Sequence, residues 1–316
     1  MTGPGALTGA SRRNDDSRVR QVLVELDMRD ADLLPLGAGL ASEAWRIGRV
    51  PPWFALRIAH GIADADSTYE MEHALMSRLA DAGAWVPRPI RGSWQSQRWA
   101  GPPFSLTTGL EGAPLAVADH RRAAPVLAAF LRRLHAQHIA GFGPLRVEDG
   151  ELRGRRPSMA EGLLAWAGRA LWPVSDVLAA HPALGDRDVL RARLDLHAPT
   201  IRGALDRGPG VPLHSDLHEE NILDSSGELG IIDFGEAFIG PVAWEFAALA
   251  YFLGWSMADA TLAAYAGGGA EQERLGTDAN AIGLCFGVHR WAQDRRRGVD
   301  QDLYNEAFVL RTLTRM

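Results

Sequence analysis

The 316-residue chain carries 33 basic and 39 acidic side chains, a formal net charge of −6, with 47% hydrophobic and 23% charged residues. These proportions exclude a disordered, collagen-like or coiled-coil chain and allow a sizeable core in one large or two modest domains. No lysine occurs, so every basic residue is an arginine and any cationic hold on a phosphate must be a guanidinium.

Met1 to Arg20 is polar, with Arg12, Arg13, Asn14, Asp15 and Asp16 and no apolar run of the kind a secretory signal needs. It reads as the frayed start of a cytoplasmic protein. From Asp32 to Pro102 short strands are expected around one helix. Leu33–Leu36 leads into Gly37-Ala38-Gly39-Leu40-Ala41-Ser42, and Glu43–Ile47 and Trp53–Ile58 form two strands about a turn at Gly48–Pro52. Tyr69, His73, Met76, Leu79 and Ala80 stand at helical spacing within Ser67–Ala82, before Gly83. Trp85–Ser93 and Pro103–Thr108 read as two further strands. A lobe of residues 1–110 results, with a small antiparallel sheet and one main helix.

From residue 111 to 316 the texture is helical, over Arg121–His138, Met159–Ala180, Arg187–Leu205, Ala243–Leu253, Met257–Ala266, Ala279–Arg297 and Asp302–Arg315. The weakly polar run Phe246–Ala258 is about 13 residues, short of the roughly 20 that cross a bilayer, so no membrane partner is expected. The single cysteine, Cys285, reads as a core residue. Residues 212–316 hold 7 arginines and 16 acids, net −9, leaving 26 arginines and 23 acids, net +3, for residues 1–211. Such a field repels nucleic acid and attracts cations.

Helical periodicity breaks between Val211 and Gly240. Leu213-His214-Ser215-Asp216-Leu217-His218-Glu219-Glu220-Asn221-Ile222-Leu223 is followed by a turn at Asp224–Gly227 and by Ile231-Ile232-Asp233-Phe234-Gly235. Phosphoryl transfer needs a carboxylate to accept the attacking hydroxyl's proton, and oxygen ligands for a magnesium ion that neutralises charge on the nucleotide phosphates. Asp216 and Asn221 bracket one loop, and Asp233 ends the hairpin that follows. His218, Glu219 and Glu220 read as solvated loop residues.

His-x-Asp-x-x-x-x-Asn followed by Ile-Asp-Phe-Gly resembles the aminoglycoside phosphotransferase family, small-molecule kinases with a protein-kinase-like fold, and the resemblance spans residues 33 to 300. It implies an α+β fold of two lobes, a small antiparallel-sheet lobe with one main helix and a larger helical lobe. It also implies Asp216 as catalytic base, Asn221 and Asp233 as magnesium ligands and His214 as a structural histidine. Gly37, Gly39 and Ser42 would form the loop over the nucleotide phosphates. Arg57, in Ala55-Leu56-Arg57-Ile58, stands where these kinases usually carry lysine, with Glu72 (Glu70 as runner-up) as the carboxylate that orients it. Phe104 to Gly112, with Thr107 and Gly109, would be the inter-lobe hinge whose backbone holds a purine. Beyond Arg57, three further positions depart from the family's pattern: Ser215 replaces a commoner glycine, Gly240-Pro241-Val242 replaces Gly-Asp-Pro, and Glu245 lies near the usual helical Asp.

The implied activity is magnesium-dependent transfer of phosphate from ATP or GTP to a hydroxyl of a small molecule. The resemblance implies a hydroxylated small molecule as acceptor, and the acidic last third favours a cation among them, a polyhydroxylated antibiotic of the aminoglycoside type, with Glu236 as the first candidate for the pocket wall. Trp244, Trp255 and Trp291 would pack helices or stack on a ligand. Three other readings are a metabolic kinase acting on choline, homoserine or a sugar, a protein kinase, disfavoured because neither His-Arg-Asp nor an Ala-Pro-Glu segment after Asp-Phe-Gly occurs, and a nucleotide-binding pseudokinase. Oligomeric state is not legible.

Overall fold

In the computed structural model, which describes residues 9–39, 41–60, 64–167, 184 and 186–316, the early strands form one antiparallel sheet. Leu33–Ala38 (β1), Ser42–Ile47 (β2), Phe54–Ala59 (β3), Pro89–Gly92 (β4) and Phe104–Thr108 (β5) stand in the order β1-β2-β3-β5-β4. The strand expected over Trp85–Ser93 is therefore shorter, with its end turned into a 3-10 helix at Ser93–Gln95. Central β3 sets Arg57 between Ala44 of β2 and Ser105 of β5.

Residues 1–8 lie outside the described ones, and from Gly9 on the frayed start expected over residues 1–20 is corrected by a helix, Gly9–Glu25 (α1). Its first turns are polar, but Val19, Val22 and Leu23 recur at helical spacing and are 0%, 0% and 2% exposed. They join Ile47, Leu56, Ile58, Phe104 and Leu106 in one apolar cluster. At about 1.5–3 kcal/mol for each large apolar side chain buried, that cluster outweighs the poor helix start. Arg18 adds a bond from its guanidinium to the Ala59 carbonyl at 2.5 Å.

Helix α2, Ala65–Asp81, buries Tyr69, Glu72, His73, Leu75, Met76 and Leu79. His73 Nε2 is 2.8 Å from Ser105 Oγ. Burial, and next the charge of Arg57, push its pKa from 6.5 down to about 4. The unfolded chain therefore binds a proton that the folded chain refuses between these values. His73's contribution to stability is complete above pH 6.5 and falls as the pH drops toward 4, by up to about 1.4 kcal/mol per pH unit. Urea midpoints measured from pH 7 to pH 4 should fall less steeply for His73→Gln than for the native chain.

The chain divides into two compact units, Met1–Ser77 with Pro87–Leu110, and Arg78–Val86 with Glu111–Met316. Within the second, Arg78 reaches Glu151 at 3.2 Å, and Ile231 N–H donates to the Trp85 carbonyl at 3.1 Å. Two small sheets lie here. One has the order β11-β10-β6, from Ala113–Pro114 (β6), Ile222–Ser225 (β10) and Glu228–Ile231 (β11). The other runs β8-β7-β12-β9, from Phe142–Glu148 (β7), Glu151–Arg156 (β8), Val211–Leu213 (β9) and Phe238–Gly240 (β12).

The helices of this unit are α3 (His120–His135), α4 (Met159–Ala167), α5 (Asp188–Leu196), α6 (Ala198–Leu205), α7 (Val242–Leu253), α8 (Trp255–Ala266), α9 (Gly269–Arg297) and α10 (Asp302–Leu313). The expected helix Met159–Ala180 is seen to Ala167, and its second half lies outside the described residues. Arg187–Leu205 breaks at His197, because Pro199 in the first turn of α6 suits a helix start and not a helix interior. Helix α4 packs onto β7 through two glycines: a Cβ on Gly143, whose φ is +76°, would lie 2.6 Å from Gly162 Cα. Trp244, Trp291, Phe246 and Phe286 form the core, and Cys285 is buried as expected. Among the described residues, no helix is long and apolar enough to cross a membrane.

Candidate functional site

The loop between β9 and β10 is organised by a carboxylate on α7. Glu245 is 0% exposed, and its two oxygens accept backbone N–H bonds from His214 at 2.6 Å and Ser215 at 3.0 Å. Ser215 adopts φ +67°, a left-handed conformation that costs a non-glycine residue roughly 1–2 kcal/mol. This explains why glycine suits the position. Here serine is retained with a compensating bond, since Trp244 Nε1–H donates to Ser215 Oγ at 3.2 Å inside the core.

His214 is fully buried. The Asp216 N–H points to its Nδ1 at 3.4 Å, so Nε2 carries the proton and donates to the Ile232 carbonyl at 3.0 Å. The imidazole thereby ties the loop to the residue before Asp233, and it packs on Phe234, itself 0% exposed, with ring centres 4.8 Å apart.

Asp216, Asn221 and Asp233 are brought onto one hydrogen-bonded frame. Asn221 Nδ2 donates to the Asp216 carbonyl at 2.9 Å, and Ile232 N–H donates to the Asn221 carbonyl at 3.1 Å. Asp216 is partly exposed. Asp233 is exposed and held at φ +61°, a second left-handed non-glycine residue, with Gly235 N–H 3.5 Å from its Oδ1. Strain of this kind persists only where the surroundings impose it, and here the buried Phe234 beside it supplies the constraint.

Glu236 retains solvent access, yet protein mass around its carboxyl raises its pKa, and the negative charges of Asp216 and Asp233 raise it further while Arg290 and Arg297 oppose them. His218, expected as a solvated loop residue, is half-buried beside the candidate base. Its Nε2 is 3.8 Å from Asp216 Oδ2, and its ring is 5.7 Å from that of Phe252. A histidine two positions along an irregular loop carries no periodic signal that would have marked it.

In the first unit Arg57 Nη1 donates to Glu72 Oε2 at 2.6 Å, and its guanidinium carbon lies 5.3 Å from the Tyr69 ring centre. Glu72 is 1% exposed, which a carboxylate tolerates only when paired. Glu70 is half-buried and sits on another part of the helix surface. Gly39 N–H closes a tight turn onto the Ser42 carbonyl at 2.8 Å, and a Cβ on either Gly37 or Gly39 would meet no crowding.

The expected hinge, residues 104 to 112, is largely strand. Residues 104–108 are paired by β3, and 105–107, Thr107 included, also by β4. Gly109 gives its N–H to the Trp53 carbonyl at 2.8 Å, and a Cβ there would fall 2.2 Å from the Trp53 indole. Of the three tryptophans considered as ligand contacts, Trp244 and Trp291 are wholly buried, and Trp255 stacks on Phe308 beneath Arg315. All three pack helices.

Among the described residues no three His, Cys, Asp or Glu side chains form a metal cluster. The Asn221 and Asp233 oxygens nevertheless match magnesium's hard-oxygen preference, which commonly uses one or two protein ligands with phosphate and water completing the shell.

A model of the phosphotransferase enzyme family (APH) matches residues 32–278. Homoserine kinase of Beijerinckia indica subsp. indica is 34% identical over 180 residues, which cover 55% of this chain and 49% of that protein; the chain thus spans about half the length of the curated relative it matches. A thermostable mutant of aminoglycoside phosphotransferase APH(4)-Ia, in ternary complex with AMP-PNP and hygromycin B, is 17% identical with a TM-score of 0.69, covering 94% of this chain and 98% of that one. The GDP complex of wild-type aminoglycoside 2'-phosphotransferase-IIIa is 16% identical with a TM-score of 0.70, covering 96% and 99%. The fold shared with these structures is α+β and kinase-like, with two lobes.

Proposed function

The chain belongs to the phosphotransferase enzyme family, and we propose that it is a magnesium-dependent kinase that moves the terminal phosphoryl group of ATP or GTP onto a hydroxyl of a small molecule. The observation that carries this reading is the frame in which Asn221 bonds the Asp216 carbonyl while its own carbonyl is bonded from the strand end before Asp233. A base and two oxygen ligands on one loop system are what the chemistry needs.

In this mechanism Asp216 orients the acceptor hydroxyl and takes its proton as the acceptor oxygen bonds to phosphorus and the bond to the nucleoside diphosphate breaks. Asn221 and Asp233 would hold magnesium, which when bound neutralises phosphate charge. Arg57, steered by Glu72, grips the nucleotide phosphates from the lobe of residues 1–110, with Gly37, Gly39 and Ser42 beside them and the backbone near Thr107 and Gly109 toward the base. The setting proposed is cytoplasmic.

Two acceptor classes have support. The kinship in fold with aminoglycoside phosphotransferases and the net −9 of residues 212–316 favour a polyhydroxylated cation of the antibiotic type. The homoserine kinase relative favours a metabolic hydroxyl, that of a hydroxy amino acid. Mass spectrometry of products formed with magnesium, ATP or GTP and both classes of acceptor tests the reading. A phosphate adduct establishes transfer, and nucleotide binding without an adduct on any acceptor leaves a pseudokinase. Asp233→Asn should raise the magnesium concentration needed for half-maximal nucleotide binding by about tenfold or more, since one carboxylate ligand becomes neutral; an unchanged magnesium requirement would remove Asp233 from that role.

A further inference from the structure

Beside the Asp216 loop, between the end of α7 and the segment leading into α10, lies a cavity of about 560 Å³ walled by Tyr251, Phe252, Arg290, Asp300, Leu303 and Tyr304. His218 joins it to the candidate base, standing 3.8 Å from Asp216 and packing on Phe252. Its walls are fixed. Tyr251 OH donates to Asn305 Oδ1 at 2.7 Å, Asn305 Nδ2 donates to Asp294 Oδ2 at 3.0 Å, and Tyr304 OH donates to the Tyr251 carbonyl.

Arg290 is the unusual member. Two other arginines on α9 are matched: Arg274 pairs with Glu271 and Asp278, and Arg295 with Asp302. Arg290 has no carboxylate of the described residues within ion-pairing distance, and its Nε is buried with no hydrogen-bond partner. Its guanidinium instead lies over the rings of Phe252, at 5.1 Å, and Tyr251, at 5.6 Å, and its hydrogen-bond partner is the neutral Tyr251 hydroxyl. An arginine cannot shed its proton to relieve this, and a cation half out of water without an anion is a costly arrangement to leave unmatched. The same planar fork accepts a carboxylate through two parallel bonds. Negative groups are also at hand: Asp300 lines the mouth, and Glu236 feels the charges of both Arg290 and Asp216.

We propose that Arg290 is a specificity-determining residue that receives a carboxylate on the acceptor, so that the preferred substrate is a small hydroxy acid or zwitterion and not a pure polycation. An ammonium group on that molecule would face Glu236 or Asp300, while its hydroxyl reaches Asp216 past His218. This deepens the phosphotransferase reading and rests on it.

The test compares L-homoserine and 4-hydroxybutyrate with their carboxamides, and with kanamycin as a polyamine lacking a carboxylate. The carboxylate forms should exceed the amides in kcat/KM by on the order of 10²-fold. Arg290→Gln should reduce that preference to a few-fold through KM while kcat changes little, and Arg290→Lys should restore part of it. Calorimetric titration of L-homoserine and 4-hydroxybutyrate, without nucleotide, separates binding from transfer. Carboxylate binding that disappears in Arg290→Gln, with no phosphate transfer to any acceptor, would keep this site and remove the kinase reading. Faster transfer to kanamycin than to either carboxylate, equal binding by Arg290→Gln and native chain, or no carboxylate binding would overturn the Arg290 assignment and leave the kinase reading standing.

Discussion

Asp216→Asn should lower kcat by on the order of 10³-fold while nucleotide affinity stays within about threefold of the native value. The amide matches the carboxylate in size, and the contacts that fix the loop here, from His218 N–H and Asn221 Nδ2, go to the Asp216 backbone carbonyl and not to its side chain. Position and fold are therefore preserved, and only the capacity to accept a proton is removed. General base catalysis contributes about 10²–10⁴-fold, which sets the expected range. Single-turnover rates and equilibrium nucleotide titration on the same preparation separate the two quantities. A variant that turns over at the native rate would transfer the base to another group, and one that lost nucleotide affinity in proportion would show that Asp216 acts in binding.

The largest effect on stability is expected at Glu245. Truncation to alanine would leave the His214 and Ser215 N–H groups buried without an acceptor, each costing about 1–3 kcal/mol, and would open space in the core beneath the loop. A total of about 4 kcal/mol, at roughly 1.5 °C per kcal/mol for a chain of 316 residues, lowers the melting temperature by about 6 °C. Glu245→Asp keeps the charge but is one methylene shorter, so it should lose less stability yet still release Ser215 from its left-handed conformation. Activity distinguishes this role from plain packing. With the loop relaxed, kcat for Glu245→Asp should fall more than ~10-fold at a KM near native, whereas a core defect remote from Asp216 would lower the melting temperature and leave kcat intact. Thermal melts and steady-state kinetics at a temperature where both variants remain folded check this.

Legibility in the sequence followed the physics of each segment. The hairpin holding Asn221 and Asp233 was readable because two short apolar runs flank a turn, and the motif spacing located Asp216 without any helix boundary being known. The Arg57–Glu72 pair was found at 2.6 Å as the resemblance implied. Helix α1 was missed because its first turns are charged; only Val19, Val22 and Leu23 declare it, and their partners lie in strands far along the chain. The β7–β8 hairpin carries a legible Asp149-Gly150 turn, with both residues at positive φ, the signature of a two-residue hairpin loop. Its strands are rich in arginine and glycine, and that composition hid them. The start of α9 was placed ten residues late because Glu271, Glu273 and Asp278 interrupt any apolar stripe there. His218 and Arg290 could not be reached from sequence at all, since their neighbours, Phe252 and Tyr251, are assembled by packing of the second unit.

The guanidinium on β3 also limits which covalent reagents this chain admits. An amine beside a bound triphosphate can be captured by an acylating nucleotide analogue, because it is in equilibrium with its neutral, nucleophilic form. Arg57, bonded to Glu72, presents a delocalised guanidinium, which offers no such lone pair. With no lysine anywhere in the sequence, amine-directed affinity labels should find no side-chain amine here, and dicarbonyl reagents that condense with guanidines become the chemistry by which Arg57 can be marked.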